Sequence, residues 1–212
     1  MLRHDIHVSL TPTVFIVDDD QAVRDSLRWL IESVEHKVRT FKNAREFLAS
    51  SAAHHPGCLV LDVRMPGMSG IELQSTLRHR GIELPIIIVT GHGDVPMAVR
   101  TMKAGALDFI QKPFNDQILL DCIEKALNQD AEHRRSQRHI GTIRTRYEEL
   151  TPRERQVMER VVAGYANKVI AYELGVSMKT VEAHRGRIMR KMNARSLSAL
   201  VKMAQSVEED EA

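Results

Sequence analysis

Long apolar runs are missing from this sequence. Although 43% of its 212 residues are hydrophobic, no stretch approaches the roughly 20 consecutive apolar residues that a bilayer-spanning helix requires. Cysteine is nearly absent as well. Cys58 and Cys122 form no C-x-x-C pair and have no histidines at metal-ligand spacing, which argues against a disulfide framework or a structural zinc site. The N-terminus also lacks an apolar signal segment. These absences predict a cytoplasmic protein with reduced thiols and no membrane partner, long enough for two domains.

A strong overall charge is lacking too, since the net value is only +2. Its distribution is uneven. Up to Asp130 there are 14 Lys and Arg against 17 Asp and Glu, a net −3; from Ala131 onward the net is +5, or +9 without the acidic residues Glu208 to Glu211. A basic end on an acidic body suits a polyanionic partner for the end alone, or else a solvated charged surface.

What is present centres on Cys58-Leu59-Val60-Leu61-Asp62-Val63-Arg64-Met65-Pro66-Gly67. An apolar run ends there on one carboxylate and then meets a Pro/Gly turn, the pattern of a buried parallel strand whose carboxyl end faces a ligand crevice. Taken alone, Asp62 is a nucleophile, a metal ligand or a helix cap.

Around it, strands are predicted at 13–17, 38–41, 58–63, 85–89 and 107–111, with helices at 22–34, 44–49, 70–80 and 95–104 and one starting after Asn115 and running through Leu127. Alternation of this kind predicts an α/β doubly wound, five-stranded parallel sheet. Chemically distinct residues then fall at the strand ends: Asp18 and Asp19, Asp62, Thr90, and Lys112. Parallel winding gathers them on one edge. Paired acids that hold Mg²⁺, a lysine that neutralises phosphoryl charge and a hydroxyl that bonds phosphoryl oxygens suit phosphoryl transfer to a carboxylate, with Asp62 as nucleophile.

Residues from about Thr13 to Leu127 resemble the CheY-like, flavodoxin-like receiver domain of two-component response regulators of the NarL/FixJ type. The resemblance is carried by the spacing of 28 residues from Asp62 to Thr90 and 50 to Lys112, by Lys112-Pro113, and by Thr90-Gly91-His92-Gly93-Asp94. It implies phosphorylation at Asp62 by a sensor histidine kinase. It also implies Mg²⁺ bound by Asp18, Asp19, Asp62 and the backbone carbonyl of Arg64, a switch pair of Thr90 and Phe109, and a cis bond before Pro113. A competing reading is a haloacid-dehalogenase-type phosphatase, suggested by Asp18-Asp19-Asp20. That family carries Thr or Val where this chain has Ala22 and places its metal-binding acids late, and no late acidic pair follows Lys112 here.

Beyond Asn128 the chain turns polar, with Ile140, Ile143, Tyr147 and Leu150 at helical steps. They mark either a linker helix that packs on a dimer mate or a solvated spacer. From Thr151 the pattern predicts four short helices: 153–163, one opened by Asn167, 178–192, and about 196–204. The second and third are joined at Gly175-Val176-Ser177 as a helix-turn-helix. Residues from about Tyr147 to Gln205 resemble the LuxR-type DNA-binding domain, a separate all-α four-helix unit. The resemblance implies double-stranded DNA as partner and contacts from Asn167, Lys168, Lys179, Thr180, Glu182, Arg185, Arg187 and Lys191, while Val181 and Ile188 are expected in the core. Gly186, within the third helix, departs from the larger side chain that related domains often carry.

The expected organisation is a receiver at 12–128, a helical linker at 129–146, the DNA-binding domain at 147–206 and an acidic tail at 207–212. The whole is read as a transcription regulator rather than an enzyme, one that forms a homodimer on phosphorylation and works with RNA polymerase.

Overall fold

The computed structural model describes residues 11–91 and 93–211. The first ten residues, His92 of the loop motif and Ala212 of the acidic tail lie outside the described residues. The chain divides into two compact units after Arg134.

In the N-terminal unit, β1 (Thr13–Val17), β2 (Lys37–Phe41), β3 (Gly57–Leu61), β4 (Ile86–Thr90) and β5 (Asp108–Gln111) form an all-parallel sheet. Among the described residues it is five-stranded, in the order β2-β1-β3-β4-β5. The side chains alternate between two core layers. Phe15, Val17, Leu59, Leu61, Ile86 and Ile88 point to one layer, shared with Leu73 and Leu77 of α3 (Gly70–His79) and Met97 of α4 (Val95–Lys103). Val14, Ile16, Cys58, Val60, Ile87 and Val89 point to the other, shared with Leu27 and Ile31 of α1 (Gln21–Glu32) and Leu119 and Ile123 of α5 (Asp116–Glu148). Strands covered on both faces show no polar side to water, which is why β3 and β4 read as unbroken apolar runs.

The helices start where short polar side chains accept the free first-turn N–H groups. Asn43 caps α2 (Ala44–Ala49), Asp94 caps α4, and Ser69 with Glu72 forms a capping box on α3. A single turn of 3₁₀ helix at Ala52–His54, which the apolar pattern does not announce, precedes β3. β4 includes Thr90 as its last residue, so the hydroxyl belongs to the strand itself.

The C-terminal unit contains the end of α5 together with α6 (Pro152–Val162), α7 (Asn167–Leu174), α8 (Met178–Lys191) and α9 (Leu197–Glu211). Thr151 and Glu154 make a capping box on α6, Ser177 caps α8, and Gly175 ends α7 in the left-handed region at φ 64°. Val157, Val161, Ile170, Val181, Ile188 and Leu200 fill the core. The seam expected of a linker is used locally, because Ile143 and Leu150 are buried in this same core with Tyr147 packed against it. α9 also runs past the predicted 204 and through the acidic tail to Glu211. Val207 continues the buried stripe of Leu200 and Ala204, which keeps the helix on the core.

Candidate functional site

The sheet order reverses between β1 and β3, and a crevice outside the carboxyl ends of strands forms where order reverses. Asp18 follows β1 and Asp62 follows β3, so both stand at that crevice. They are 4% and 9% exposed. Lys112, following β5, donates from Nζ to Asp18 Oδ2 at 2.9 Å and lies 3.5 Å from Asp62 Oδ1. The Lys112–Pro113 peptide is cis. Thr90 is fully buried at the end of β4, and its carbonyl accepts the Lys112 N–H at 2.9 Å.

Each acid of the Asp18-Asp19-Asp20 run has its own role. Asp20 is the helix cap, accepting from the N–H groups of Ala22 and Val23. Asp18 accepts the Asp20 N–H through Oδ1, and its carbonyl is held by Arg24 Nη1 at 2.7 Å, a positioning contact that no sequence motif announces. Asp19 is exposed, beside an open depression of about 360 Å³ that Lys42, Arg45 and Met68 also line.

Asp62 is set by its backbone and its neighbours. Its N–H donates to the Val17 carbonyl at 2.9 Å, and its Oδ2 accepts the Arg64 N–H at 2.7 Å. Gly70 opens α3 directly against the Asp62 carbonyl: a Cβ there would sit 2.2 Å from that oxygen, so only glycine fits. Burial pushes the Asp62 carboxyl above its ordinary pKa, and the Asp18 charge adds to this. Lys112 and the Arg64 N–H act in the opposite direction without cancelling the shift.

Two nearly buried carboxylates, Asp18 and Asp62, against one ammonium give the crevice hard oxygen donors. Among the described residues no three His, Cys, Asp or Glu side chains converge into a closed metal cage. This arrangement fits Mg²⁺, which binds through one or two carboxylates and keeps water or phosphate oxygens in its shell. The two thiols stand apart from this chemistry. Burial raises both, Cys122 to about 11, so neither ionises near neutral pH.

In the C-terminal unit, Lys168, Lys179, Glu182 and Arg187 are exposed on α7 and α8, and Thr180 is half-buried, its hydroxyl 2.8 Å from that of Ser177. Arg185 donates from Nη1 to Asn167 Oδ1 at 2.7 Å, tying α8 to the start of α7. Val181 and Ile188 are buried in the core as expected, and a Cβ at the exposed Gly186 would meet nothing within 4 Å.

Lys191 has an ion-pair partner in the same unit. Its ammonium donates to Glu154 Oε2 at 2.7 Å and to the Glu149 carbonyl at 3.0 Å, so it neutralises a carboxylate that is 3% exposed. Burial alone would raise Glu154. The Lys191 hydrogen bond and the Thr151 N–H outweigh it and hold the carboxyl at about 2. The partners are 37 residues apart, a separation that no helical or strand period connects.

Residues 14–124 match the family model described as the response regulator receiver domain, and residues 148–204 match that of the bacterial regulatory proteins of the luxR family. The chain is a two-component response regulator. It is similar to Nodulation protein W of Bradyrhizobium diazoefficiens, with 47% identity over 92% of this chain and 86% of that protein. It is also similar to the transcriptional regulatory protein FixJ of Azorhizobium caulinodans, with 47% identity over 90% of each. Among solved structures, that of the response regulator StyR matches with a TM-score of 0.83 and 48% identity, over 92% of this chain and 98% of that one. This response regulator therefore joins a receiver to a LuxR-type DNA-binding domain and controls transcription in dependence on phosphorylation. Its family works with a sensor kinase, and receivers generally bind Mg²⁺ at the phosphorylation site. Among the described residues no helix is long and apolar enough to cross a membrane.

Proposed function

We propose that Asp62 accepts the phosphoryl group and that this event drives dimerisation and operator binding. The observation that carries the reading is the meeting of Asp62, Asp18 and Lys112 at the order reversal of the sheet, with both acids nearly excluded from water and sharing one ammonium. An Asp62 carboxylate oxygen forms the new bond to phosphorus as the bond from phosphorus to the kinase histidine nitrogen breaks. The electron pair leaves with that nitrogen, and an acyl phosphate remains. The raised pKa of Asp62 makes its carboxylate a stronger nucleophile once ionised. Lys112, already within reach of both acids, is placed to balance phosphoryl charge.

Asp18, Asp19, Asp62 and the Arg64 carbonyl would hold Mg²⁺, which supplies charge neutralisation at the phosphoryl oxygens when bound. Thr90 and Phe109 act as the switch, with Thr90 turning to the phosphoryl group and the Phe109 ring following inward. A receiver at 12–128, a helical linker at 129–146, a DNA-binding domain at 147–206 and a tail at 207–212 remain the proposed functional divisions. On DNA, Lys168, Lys179 and Lys191 reach phosphates, while Glu182 and Arg185 stand nearer base edges, with Asn167, Thr180 and Arg187 beside them. The dimer then works with RNA polymerase.

The test is to treat the full chain with Mg²⁺ and beryllofluoride or acetyl phosphate, following dimerisation by sedimentation and operator affinity at fixed salt. Both are expected to rise together and to stop responding in Asp62→Asn. Stable labelling of that variant by acetyl phosphate overturns the site. Repeated turnover of a phosphate ester by the parent chain overturns the switch reading in favour of a phosphatase.

A further inference from the structure

The loop after β4 contains two glycines of opposite character. A methyl built on Gly93 would lie 2.8 Å from Phe109 Cζ, 2.9 Å from Phe109 Cε1 and 3.5 Å from Thr90 Cγ2. A methyl built on Gly91 would meet nothing within 4 Å. The Phe109 ring is half-buried against the core layer, and its tip rests on the loop at Gly93 beside the Thr90 methyl. The clashing atoms are the far end of a side chain that turns about χ1. A methyl at 93 therefore moves the ring before it moves the backbone.

We propose that Gly93 is a positioning residue of the phosphorylation switch, its missing side chain reserving the space that the Phe109 ring occupies beside Thr90. The proposal rests on the reading of Thr90 and Phe109 as the switch pair and adds the element that fixes where the ring can stand. With a methyl at 93 this placement closes. The ring is then held elsewhere whether or not Asp62 carries a phosphoryl group, and the two states of the receiver draw together. A shared volume of this kind couples neighbouring residues by their bulk, so its signature is non-additivity with the ring itself.

The experiment measures dimer affinity of the full chain by sedimentation with and without saturating Mg²⁺ and beryllofluoride, in the parent, Gly91→Ala, Gly93→Ala, Phe109→Leu and the Gly93→Ala/Phe109→Leu double variant. The response ratio of Gly93→Ala should fall about tenfold, the scale on which one extra methyl in a filled space biases a two-state equilibrium. Gly91→Ala, with the same change in the same loop, should stay within about twofold of the parent. Leucine has no Cζ or Cε1, so adding Gly93→Ala to Phe109→Leu should change that variant's ratio by less than about twofold. A responsive parent in which Gly93→Ala behaves like Gly91→Ala overturns the inference alone. So does an equal loss on adding Gly93→Ala in the leucine background, because the effect then comes from the loop backbone. A parent that does not respond to beryllofluoride overturns the switch reading and this inference with it.

Discussion

Asp130→Ala should destabilise the receiver strongly although the residue lies outside the phosphoryl site. Its carboxylate is 3% exposed. It accepts the buried Gly57 N–H at 2.9 Å and the Arg134 Nε–H at 2.8 and 2.9 Å. Arg134 in turn donates to the His54 and His55 carbonyls, so this group ties α5 to the segment that opens β3. Removing the carboxylate leaves the Gly57 N–H buried without an acceptor, at a cost of about 1–3 kcal/mol. Arg134 is 32% exposed and can turn to water, so its lost ion pair adds no more than about 1 kcal/mol. The sum is about 1–4 kcal/mol. At about 4 °C per kcal/mol for a unit of this size, the receiver transition should fall by about 4–16 °C. Urea unfolding followed by circular dichroism measures the loss, and amide exchange at Gly57 reports its location. Asp130→Asn keeps an acceptor for Gly57 and should cost about 1 kcal/mol. A loss below about 1 kcal/mol in Asp130→Ala, or an unchanged Gly57 exchange rate, would refute the reasoning.

Gly70→Ala places a Cβ 2.2 Å from the Asp62 carbonyl. Backbone must then shift, at about 1–3 kcal/mol, and beryllofluoride affinity should fall with stability; a variant of parental stability and affinity contradicts the close approach. The two units should also answer acid in opposite senses. Glu154 has its carboxyl held at about 2, below its unfolded value, so its stabilisation is complete above about pH 4.5 and lost as pH falls toward 2. Glu154→Gln should flatten that part of the unfolding profile of the C-terminal unit, and an unchanged profile would count against the Lys191 pairing. Asp62, raised in the folded state, favours the receiver below its unfolded value, and that contribution disappears as pH rises through the folded value. Asp62→Asn should therefore remove this acid-side gain and leave the receiver no less stable at neutral pH, as urea midpoints across pH will show.

Much of the fold was legible in the chain. The apolar runs of β3 and β4, the helix starts at Asn115 and Thr151, and the turn at Gly175 are local signals. Periodicity and capping act within a few residues, and those residues are adjacent in sequence. The family motifs located the strand-end residues as well. The three consecutive acids 18–20 looked alike as letters, however, and only the placement of α1 made Asp20 the cap and Asp18 the partner of Lys112. Lys191 looked like one more surface cation until folding set it on Glu154.

What the sequence determined by itself was therefore the set of elements, their order and the chemistry available at the strand ends. Tertiary structure alone decided which distant groups share one low-dielectric space: Asp130 with Gly57, Lys191 with Glu154, and Gly93 with the Phe109 ring. The physical reason is range. Backbone propensity and hydrophobic period are summed over neighbours in the chain, whereas desolvation, ion pairing and excluded volume depend on distances that exist only after the sheet and helices have packed.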